Sequence, residues 1–331
     1  MKRENTRLII LQLKSTQDRN ALANISAIVN YLYEKYEYKI KGHEIQQVGS
    51  NIKKMTLSER TNIISSFCVK NEIEYLTYHA PIIMHNIFDD RWRRRIIDSI
   101  LITVKEAEKV FCEVSLRNKV IVVFHLTNFI SIELLPTISK ELKYKIMRKT
   151  QGAFLDFYNN NNKELNLQDV TRYCRLAVEN TYPKHLVNDT ILNLCHPFEL
   201  IKYYKHGINT TLDLSHYLLY SNCLLYDKHN LVGNLDRELY GYAPSWKECI
   251  RILGDSLVQV HISDAKGIGE SGEGLPLKEG EIPIVDILNN ISSLDKTIQG
   301  TIELTEGHLH NEKLQKQSAD WLLTNIKDVF G

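Results

Sequence analysis

Eight short apolar runs recur along this chain, and a longer segment of helical periodicity follows each of them. The runs lie at residues 7–13, 40–46, 74–79, 119–125, 173–179, 208–213, 256–262 and 298–304. The helical segments lie near 19–36, 56–70, 90–115, 133–160, 196–206, 215–254 (interrupted), 284–293 and 312–329. Alternating β and α units predict a parallel sheet covered by helices, and eight such units predict that the sheet closes. The expected fold is therefore α/β, a single (β/α)₈ TIM barrel.

The length of the chain suits one barrel with insertions. No Pro/Ser-rich linker and no recognisable repeat divides the 331 residues, so we expect a single domain over 1–331. Two connections, 126–170 and 214–255, are longer than a minimal barrel needs. Because both follow a strand, they predict extended loops at the C-terminal face, where the active sites of such barrels lie.

The charge balance disfavours nucleic acid as a partner without excluding it. Lys and Arg number 41 and Asp and Glu number 40, so the formal net charge of +1 gives no strong field for a phosphate backbone. The one conspicuous basic cluster consists of Arg91, Arg93, Arg94 and Arg95. This cluster is either the solvated first turn of a helix or a phosphate contact near the barrel mouth.

Cysteine usage and hydropathy indicate the compartment. The six cysteines form no C-x-x-C pair, which is typical of free thiols in a reducing environment. The apolar run 8–13 is too short for the core of a signal peptide, and no run reaches the roughly 18 apolar residues of a membrane span. We expect a cytoplasmic protein with no membrane partner, and homo-oligomerisation stays open.

Six consecutive predicted strands, the third to the eighth, end in an acidic or imidazole side chain. With the polar residues that follow closely, these are His79, His125, Glu179, Asp213 with His216, His261 with Asp264, and Glu303. In a parallel barrel all these ends lie on one face around one axis. Burying an unpaired charge is costly, and a metal ion compensates several carboxylates at once.

The strand ends therefore predict a divalent-metal site built from Glu179, Asp213, His261 and Glu303. Taken singly, each residue has a simpler interpretation, because a strand-end histidine is often a hydrogen-bonded structural residue and either Glu179 or Asp213 could cap a helix. The combined set of oxygen and imidazole donors suits Mn²⁺, Mg²⁺, Co²⁺ or Zn²⁺. It gives no reason to expect copper or an iron–sulfur cluster.

Five short motifs occur in a specific order and spacing. They read HAP at 79–81, ENT at 179–181, DLSH at 213–216, VHISDAKG at 260–267 and KEGEI at 278–282. On these motifs the whole chain, from the first strand to Glu303, resembles the xylose isomerase-like TIM barrel superfamily. That superfamily contains sugar isomerases and epimerases as well as endonuclease IV-type apurinic endonucleases.

For the sugar-acting members, the resemblance implies that Glu179, Asp213, His261 and Glu303 bind one divalent metal. It implies that Glu179 and Glu303 form the acid/base pair that moves a proton at a carbon beside the carbonyl. It also implies that His216 contacts a substrate hydroxyl. The chemistry agrees, because a metal bound to carbonyl and hydroxyl oxygens stabilises an enediolate between two carboxylates.

For the endonuclease members, the resemblance implies two further metals. The second would use His79, His125 and Glu179, and the third would use His216 with an Asp-x-His pair after the seventh strand. The positions of that pair fall on Gly272 and Gly274, so the pair is absent here. Whether His79 and His125 bind a metal or contact the substrate stays open.

Two loops also differ from the endonuclease pattern. The loop after the third strand carries Ile82 and Ile83 in place of an aromatic wedge. The loop after the seventh strand reads GEGLPLKEGEI, and it is either an acidic lip that repels DNA or an ordinary flexible surface loop.

The expected function is therefore a metal-dependent isomerase or epimerase, and the expected partner is a small-molecule carbohydrate, a sugar or sugar phosphate. The alternatives are an endonuclease IV-like phosphodiesterase acting on abasic DNA and a metal-binding barrel with another activity.

Overall fold

The computed structural model describes residues 9–48, 54–82, 85–86, 91–131, 139, 172–182, 185–186, 189–193, 195–227, 236–238, 240–305 and 312–331. The predicted helix near 133–160 lies outside these residues apart from position 139, as does most of the long connection 126–170.

Eight parallel strands close into a barrel. They are β1 (Ile9–Thr16), β2 (Gly42–Gln46), β3 (Tyr75–His79), β4 (Val120–Phe124), β5 (Cys174–Glu179), β6 (Asn209–Asp213), β7 (Leu257–Ile262) and β8 (Ile298–Ile302). Each strand pairs with its neighbours in this order, and β8 pairs with β1 to close the sheet. The predicted (β/α)₈ TIM barrel is confirmed.

All eight predicted strands form, and their ends differ from the prediction by three residues or fewer. The apolar runs marked them well because helices cover the outside of such a barrel and opposite strands cover its inside. Strand β4, for example, is buried along its whole length.

The helices follow the strands as the periodicity predicted. They are α1 (Arg19–Tyr36), α2 (Leu57–Asn71), α3 (Trp92–Val114), α4 (Pro197–Tyr204), α5 (Leu214–Tyr226), α6 (Trp246–Leu253), α7 (Ile284–Ser292) and α8 (Glu312–Ile326). A capping box begins α2, where the Thr56 hydroxyl accepts from the Glu59 N–H and the Glu59 carboxylate accepts from the Thr56 N–H. No described helix has both the length and the apolar character that crossing a membrane requires.

A second, four-stranded sheet was not predicted from the sequence. Its strands are His85–Asn86, Thr127–Ser131, His185–Leu186 and Asp189–Asn193. The strand Thr127–Ser131 pairs in parallel with His85–Asn86 and antiparallel with Asp189–Asn193. These segments leave the C-terminal ends of β3, β4 and β5, so the sheet links three neighbouring loops on the face where extended loops were expected.

The lumen of the barrel has a polar side and an apolar side. Glu44 on β2 accepts a hydrogen bond from Gln259 on β7 and lies 3.1 Å from His261 Nε2, although β1 and β8 separate these two strands. These side chains therefore meet across the lumen. The apolar side is a small separate cluster of Ile121, Val123, Ala177 and Val258. Five of the six cysteines are buried, and all six are free thiols, as predicted.

Candidate metal centre

The structure brings the four predicted ligands together at the ends of four neighbouring strands. Glu179 and Asp213 are the last residues of β5 and β6, His261 lies one residue before the end of β7, and Glu303 follows β8. Each offers one oxygen or nitrogen, and these four atoms lie within 4.8 Å of one another. Asp213 also accepts a hydrogen bond from the N–H of His216 at 2.6 Å and so caps α5, which was its simpler interpretation.

Three of these four residues each contact a neighbouring side chain through one of their two polar side-chain atoms. The held atoms and their partners are Glu303 Oε1 with Lys14 Nζ (2.6 Å), His261 Nε2 with Glu44 Oε2 (3.1 Å) and Glu179 Oε2 with His79 Nε2 (3.1 Å). The other polar atom of each ligand is buried and has no hydrogen-bond partner among the described residues. These atoms are Glu303 Oε2, His261 Nδ1 and Glu179 Oε1.

The three atoms without a hydrogen bond face one another. His261 Nδ1 lies 3.2 Å from Glu179 Oε1, 3.8 Å from Asp213 Oδ2 and in closer contact with Glu303 Oε2. Buried polar atoms nearly always have a hydrogen-bond partner, so a cation placed among these three atoms would satisfy all of them. Three carboxylates and one imidazole are donors that suit the divalent ions predicted from the sequence. The residues therefore fit a metal ion.

A second group of candidate ligands shares Glu179 with the first. His79 Nε2 lies 3.1 Å from both His125 Nε2 and Glu179 Oε2, and His125 Nε2 lies 3.3 Å from the same oxygen. Burial lowers the pKa of His125 to about 3, so its ring is neutral and can offer a lone pair. Because Glu179 turns Oε2 toward this group and Oε1 toward the other, one carboxylate borders both.

Two of the three carboxylates of the first group, Glu179 and Glu303, stay charged. Burial alone would raise the pKa of Glu179 and of Glu303, but the charged imidazole of His261, joined at Glu303 by the ammonium group of Lys14, holds both pKa values well below the ordinary range. Burial would lower the pKa of His261, yet the three neighbouring glutamates hold it well above its usual value. Burial also raises the pKa of Asp213 to about 7. A metal ligand must be deprotonated, so binding at His261 would release a proton.

Sequence reasoning missed two charged residues beneath the ligands. Lys14 and Glu44 are completely buried on β1 and β2. Lys14 Nζ lies 2.7 Å from Glu44 Oε1 and 2.6 Å from Glu303 Oε1. The sequence does contain a signal for them, because each is a charged residue within a strand that is buried almost throughout. The prediction considered only the strand ends, whereas both residues lie two positions before an end.

His216 lies beside the metal ligands, and both of its ring nitrogens contact acceptors of the protein. Nδ1 is 3.0 Å from the carbonyl oxygen of Asn180, and Nε2 is 2.9 Å from Glu273 Oε1. The other oxygen of Glu273 accepts a hydrogen bond from the hydroxyl of Tyr182. The contact of His216 with a substrate hydroxyl stays a prediction. Glu273 was not singled out from the sequence, although it lies between the two glycines where the endonuclease pair would stand.

Asp264 does not join the ligands but organises the loop that carries Glu273. Its carboxylate accepts hydrogen bonds from four backbone N–H groups, those of Ala265, Lys278, Gly280 and Ile282, at 2.9–3.1 Å. Gly280 leaves no room for a side chain, because a Cβ there would lie 2.3 Å from both Ala265 O and Asp264 Oδ1. The loop between β7 and α7 is thus fixed by its own hydrogen bonds.

Charged groups of both signs are exposed in the described loops and helix starts. Glu270, Glu279 and Glu281 are exposed in the loop after β7, together with Lys266 and Lys278, and the acidic lip stays a prediction. Arg91, Arg94 and Arg95 are exposed around the first turn of α3. This exposure fits a solvated helix start, and a phosphate contact of these arginines stays a hypothesis.

In a comparison of sequences, neither a protein-family model nor a curated protein matches the chain.

Comparison of structures finds proteins of the same fold. A D-psicose 3-epimerase from Clostridium cellulolyticum, in complex with D-tagatose, has a TM-score of 0.56 and 12% identity over 97% of this chain and 99% of its own. The IOLI protein with a bound zinc atom has a TM-score of 0.55 and 13% identity over 96% and 99% of the two chains. An endonuclease IV from Thermus thermophilus has a TM-score of 0.53 and 10% identity over 95% and 99%. The chain thus shares the TIM-barrel fold of these three proteins.

Proposed function

We propose that this chain is a divalent-metal-dependent isomerase or epimerase of a small sugar or sugar phosphate. The observation that carries the proposal is the convergence of three buried atoms without hydrogen bonds, one each from Glu179, His261 and Glu303. The same fold in an epimerase whose structure contains a ketose supports the substrate class. The reaction would move a proton at the carbon beside a carbonyl group.

The candidate ligands would have separate roles in metal binding and proton transfer. Glu179, Asp213, His261 and Glu303 would hold the metal, which would polarise the carbonyl oxygen of the substrate. The side chain of Glu303 is 21% exposed and that of Glu179 is completely covered. Glu303 is therefore the carboxylate that substrate reaches first, and we assign it the abstraction of the proton. Glu179 would return the proton from the other side of the reacting carbon.

The pair formed by His216 and Glu273 would orient the substrate. Glu273 lies at the edge of the cluster with 19% of its side chain exposed, and its hydrogen bond keeps the ring of His216 in place. The exposed part of the Glu273 carboxylate can accept from a hydroxyl group of a carbohydrate, and His216 would fix the orientation of that carboxylate.

One observation favours a second function, phosphodiester hydrolysis on abasic DNA. His79, His125 and Glu179 form a second group of candidate ligands, as the resemblance to the endonuclease members implied. The residues do not favour a third metal of the endonuclease type. That metal would need a free ring nitrogen of His216, whereas His216 Nε2 is already in contact with Glu273. The exposed glutamates of the same loop also oppose a DNA backbone. We therefore rank the nuclease second.

The direct test is proton exchange in heavy water. The enzyme is loaded with Mn²⁺, its metal content is measured, and it is incubated with a panel of ketoses and ketose phosphates. We expect NMR to show exchange at the carbon beside the carbonyl for at least one substrate. A parallel assay incubates the same protein with an abasic-site duplex, on which we expect no incision.

The control and the opposing outcomes are specific. Glu279→Gln removes an exposed acid of the loop after β7 and should leave the exchange unchanged. If metal is bound and no substrate in a broad panel exchanges, the barrel has another activity. Metal-dependent incision of the duplex that Glu179→Gln abolishes would replace the isomerase by the nuclease.

A further inference from the structure

Lys14 has an unusual position for a lysine. Its side chain has no exposed surface and its ammonium group lies 2.6 Å from Glu303 Oε1 and 2.7 Å from Glu44 Oε1. Lysine is almost never fully buried unless it is paired. Here it is paired twice, and one of the partners is a candidate metal ligand.

The two contacts of Lys14 decide which atoms face the metal position. Oε1 of Glu303 is occupied by the ammonium group, so only Oε2 is turned toward His261. Glu44, held by Lys14 through Oε1, accepts from His261 Nε2 through Oε2. His261 can then offer only Nδ1. A carboxylate that fixes the other nitrogen of a histidine ligand is a common support of metal sites.

Charge gives Lys14 a second effect. Four carboxylates crowd around His261, namely Glu44, Glu179, Asp213 and Glu303. One divalent cation would offset two of these charges, and Lys14 offsets a third. A fixed cation a few ångströms from a metal ion also repels that ion, so Lys14 limits how tightly the site can bind it.

We propose that Lys14 is a positioning residue that restricts Glu303 to one metal-facing oxygen and weakens metal binding, leaving coordination positions open for substrate. The inference rests on the proposed metal-dependent function and adds a residue that touches neither metal nor substrate. The inference predicts the direction in which metal affinity changes when Lys14 is replaced. A residue with a merely structural role would weaken metal binding when replaced, whereas the loss of Lys14 should strengthen it.

The test compares Co²⁺ binding by the wild type and by Lys14→Met, which keeps the length of the side chain and removes its charge. We expect the dissociation constant, measured in chelator-buffered Co²⁺, to fall by about tenfold or more. Glu303 would also be free to bind through both oxygens. The visible absorption of bound Co²⁺ should therefore weaken, as it does when coordination number rises.

Two further variants separate the causes. Lys14→Met/Glu44→Gln removes one charge of each sign, so its affinity should return toward that of the wild type while the altered Co²⁺ spectrum persists. It also serves as the test protein if Lys14→Met alone does not fold. Arg60→Met breaks another buried ion pair, in which Arg60 Nε lies 2.7 Å from Glu106 Oε2. That control should lower thermal stability and leave both the affinity and the spectrum of bound Co²⁺ unchanged.

The outcomes distinguish this inference from the proposed function. If the wild type binds Co²⁺ and Lys14→Met shows equal or weaker affinity with an unchanged spectrum, Lys14 is only structural and the inference is wrong. If the double variant has the Co²⁺ spectrum of the wild type, Lys14 is likewise only structural. If the wild type binds no divalent metal, the metal-dependent function itself fails and the inference fails with it.

Discussion

Glu179 and Glu303 are chemically alike, but their surroundings differ enough to predict different consequences of substitution. Glu179 contacts the imidazoles of His79, His125 and His261 and borders both groups of candidate ligands. Glu303 contacts His261 and Lys14 and is the most exposed of the four ligands. In the proposed reaction the first residue would hold the metal, and the second would contact the substrate as well.

We therefore expect Glu303→Gln to retain metal with reduced affinity and to slow proton exchange by about 10²–10⁴ at full occupancy, the usual cost of losing a general base. Glu179→Gln should lose metal and exchange together. Metal content by elemental analysis and exchange by NMR, both at saturating Mn²⁺, are the measurements. Exchange that survives Glu303→Gln at full occupancy would rule out the two-carboxylate mechanism.

The sequence indicated the four candidate ligands because each lies at or next to the end of a strand, and the boundary of an apolar run marks that position. It did not predict Lys14 or Glu44, since only the ends of the third to eighth strands were considered, and these residues lie on the first and second. Nor did it predict Glu273, whose importance depends on how a glycine-containing loop folds back onto α5. The hydrogen bond from the N–H of Gly274 to the Ser215 hydroxyl is part of that contact, and no pattern in the sequence indicates it.

Among the elements, strands were predicted more completely than the loops that connect them. Most strand residues are buried, and apolar side chains mark strands such as β4 (VIVVF) directly. The small sheet has strands of two to five residues, drawn from three separate loops. Strands this short carry too little periodicity to be recognised, and their pairing depends on the barrel that brings the loops together.

The loop between β7 and α7 depends on Asp264 more than on any other side chain described in it. Asp264→Asn replaces one accepting oxygen by an NH₂ group that would face backbone N–H donors. Hydrogen bonds to a charged acceptor contribute about 1.5–3 kcal/mol each, so we expect the free energy of unfolding to fall by roughly 2–4 kcal/mol. Urea unfolding measures this change, and faster hydrogen exchange at residues 270–282 would report the loosened loop.

A matched control uses an acid at the end of the same loop. Asp286 is exposed in the first turn of α7, so Asp286→Asn should change the free energy of unfolding by about 0.5 kcal/mol or less. Equal effects of the two substitutions would show that Asp264 does not organise the loop. Loss of the contact between Glu273 and His216 should accompany the loosening, and it would appear as slower proton exchange in Asp264→Asn only.

At the scale of the whole molecule, the barrel combines an apolar shell with a lumen that is polar on one side. The alternation of strands and helices predicted the shell. The lumen was not predicted, because residues such as Gln12 on β1 and Gln299 on β8 become neighbours only when these two strands pair and close the barrel. Buried ionisable groups, in the lumen and between the barrel and its helices, link the stability of the fold to pH.

His43 shows that linkage most simply. It is completely buried, its Nε2 lies 2.9 Å from the Ser15 hydroxyl, and its ring packs 4.7 Å from the ring of Phe67. Burial, opposed by the nearby charge of Glu44, lowers the pKa of His43 from 6.5 to about 3. Burial similarly lowers the pKa of His196 to about 4. Asp236 acts in the opposite direction, because burial raises its pKa from 3.8 to about 7.

Between pH 3 and 6.5 the unfolded chain binds a proton at His43 that the folded chain does not bind. The free energy of unfolding should therefore rise with pH through this window, and His43 should contribute up to about 1.4 kcal/mol per pH unit.

His43→Gln keeps a group that can bond to Ser15 and removes the titration. Urea unfolding of both proteins from pH 4 to 8, with a chelator present, should give a shallower slope for the variant below pH 6.5. The two curves should run parallel above that pH, where His43 is neutral in both states and the contributions of His196 and Asp236 are common to both proteins. Parallel curves over the whole range would mean that His43 does not titrate differently in the folded and unfolded chains.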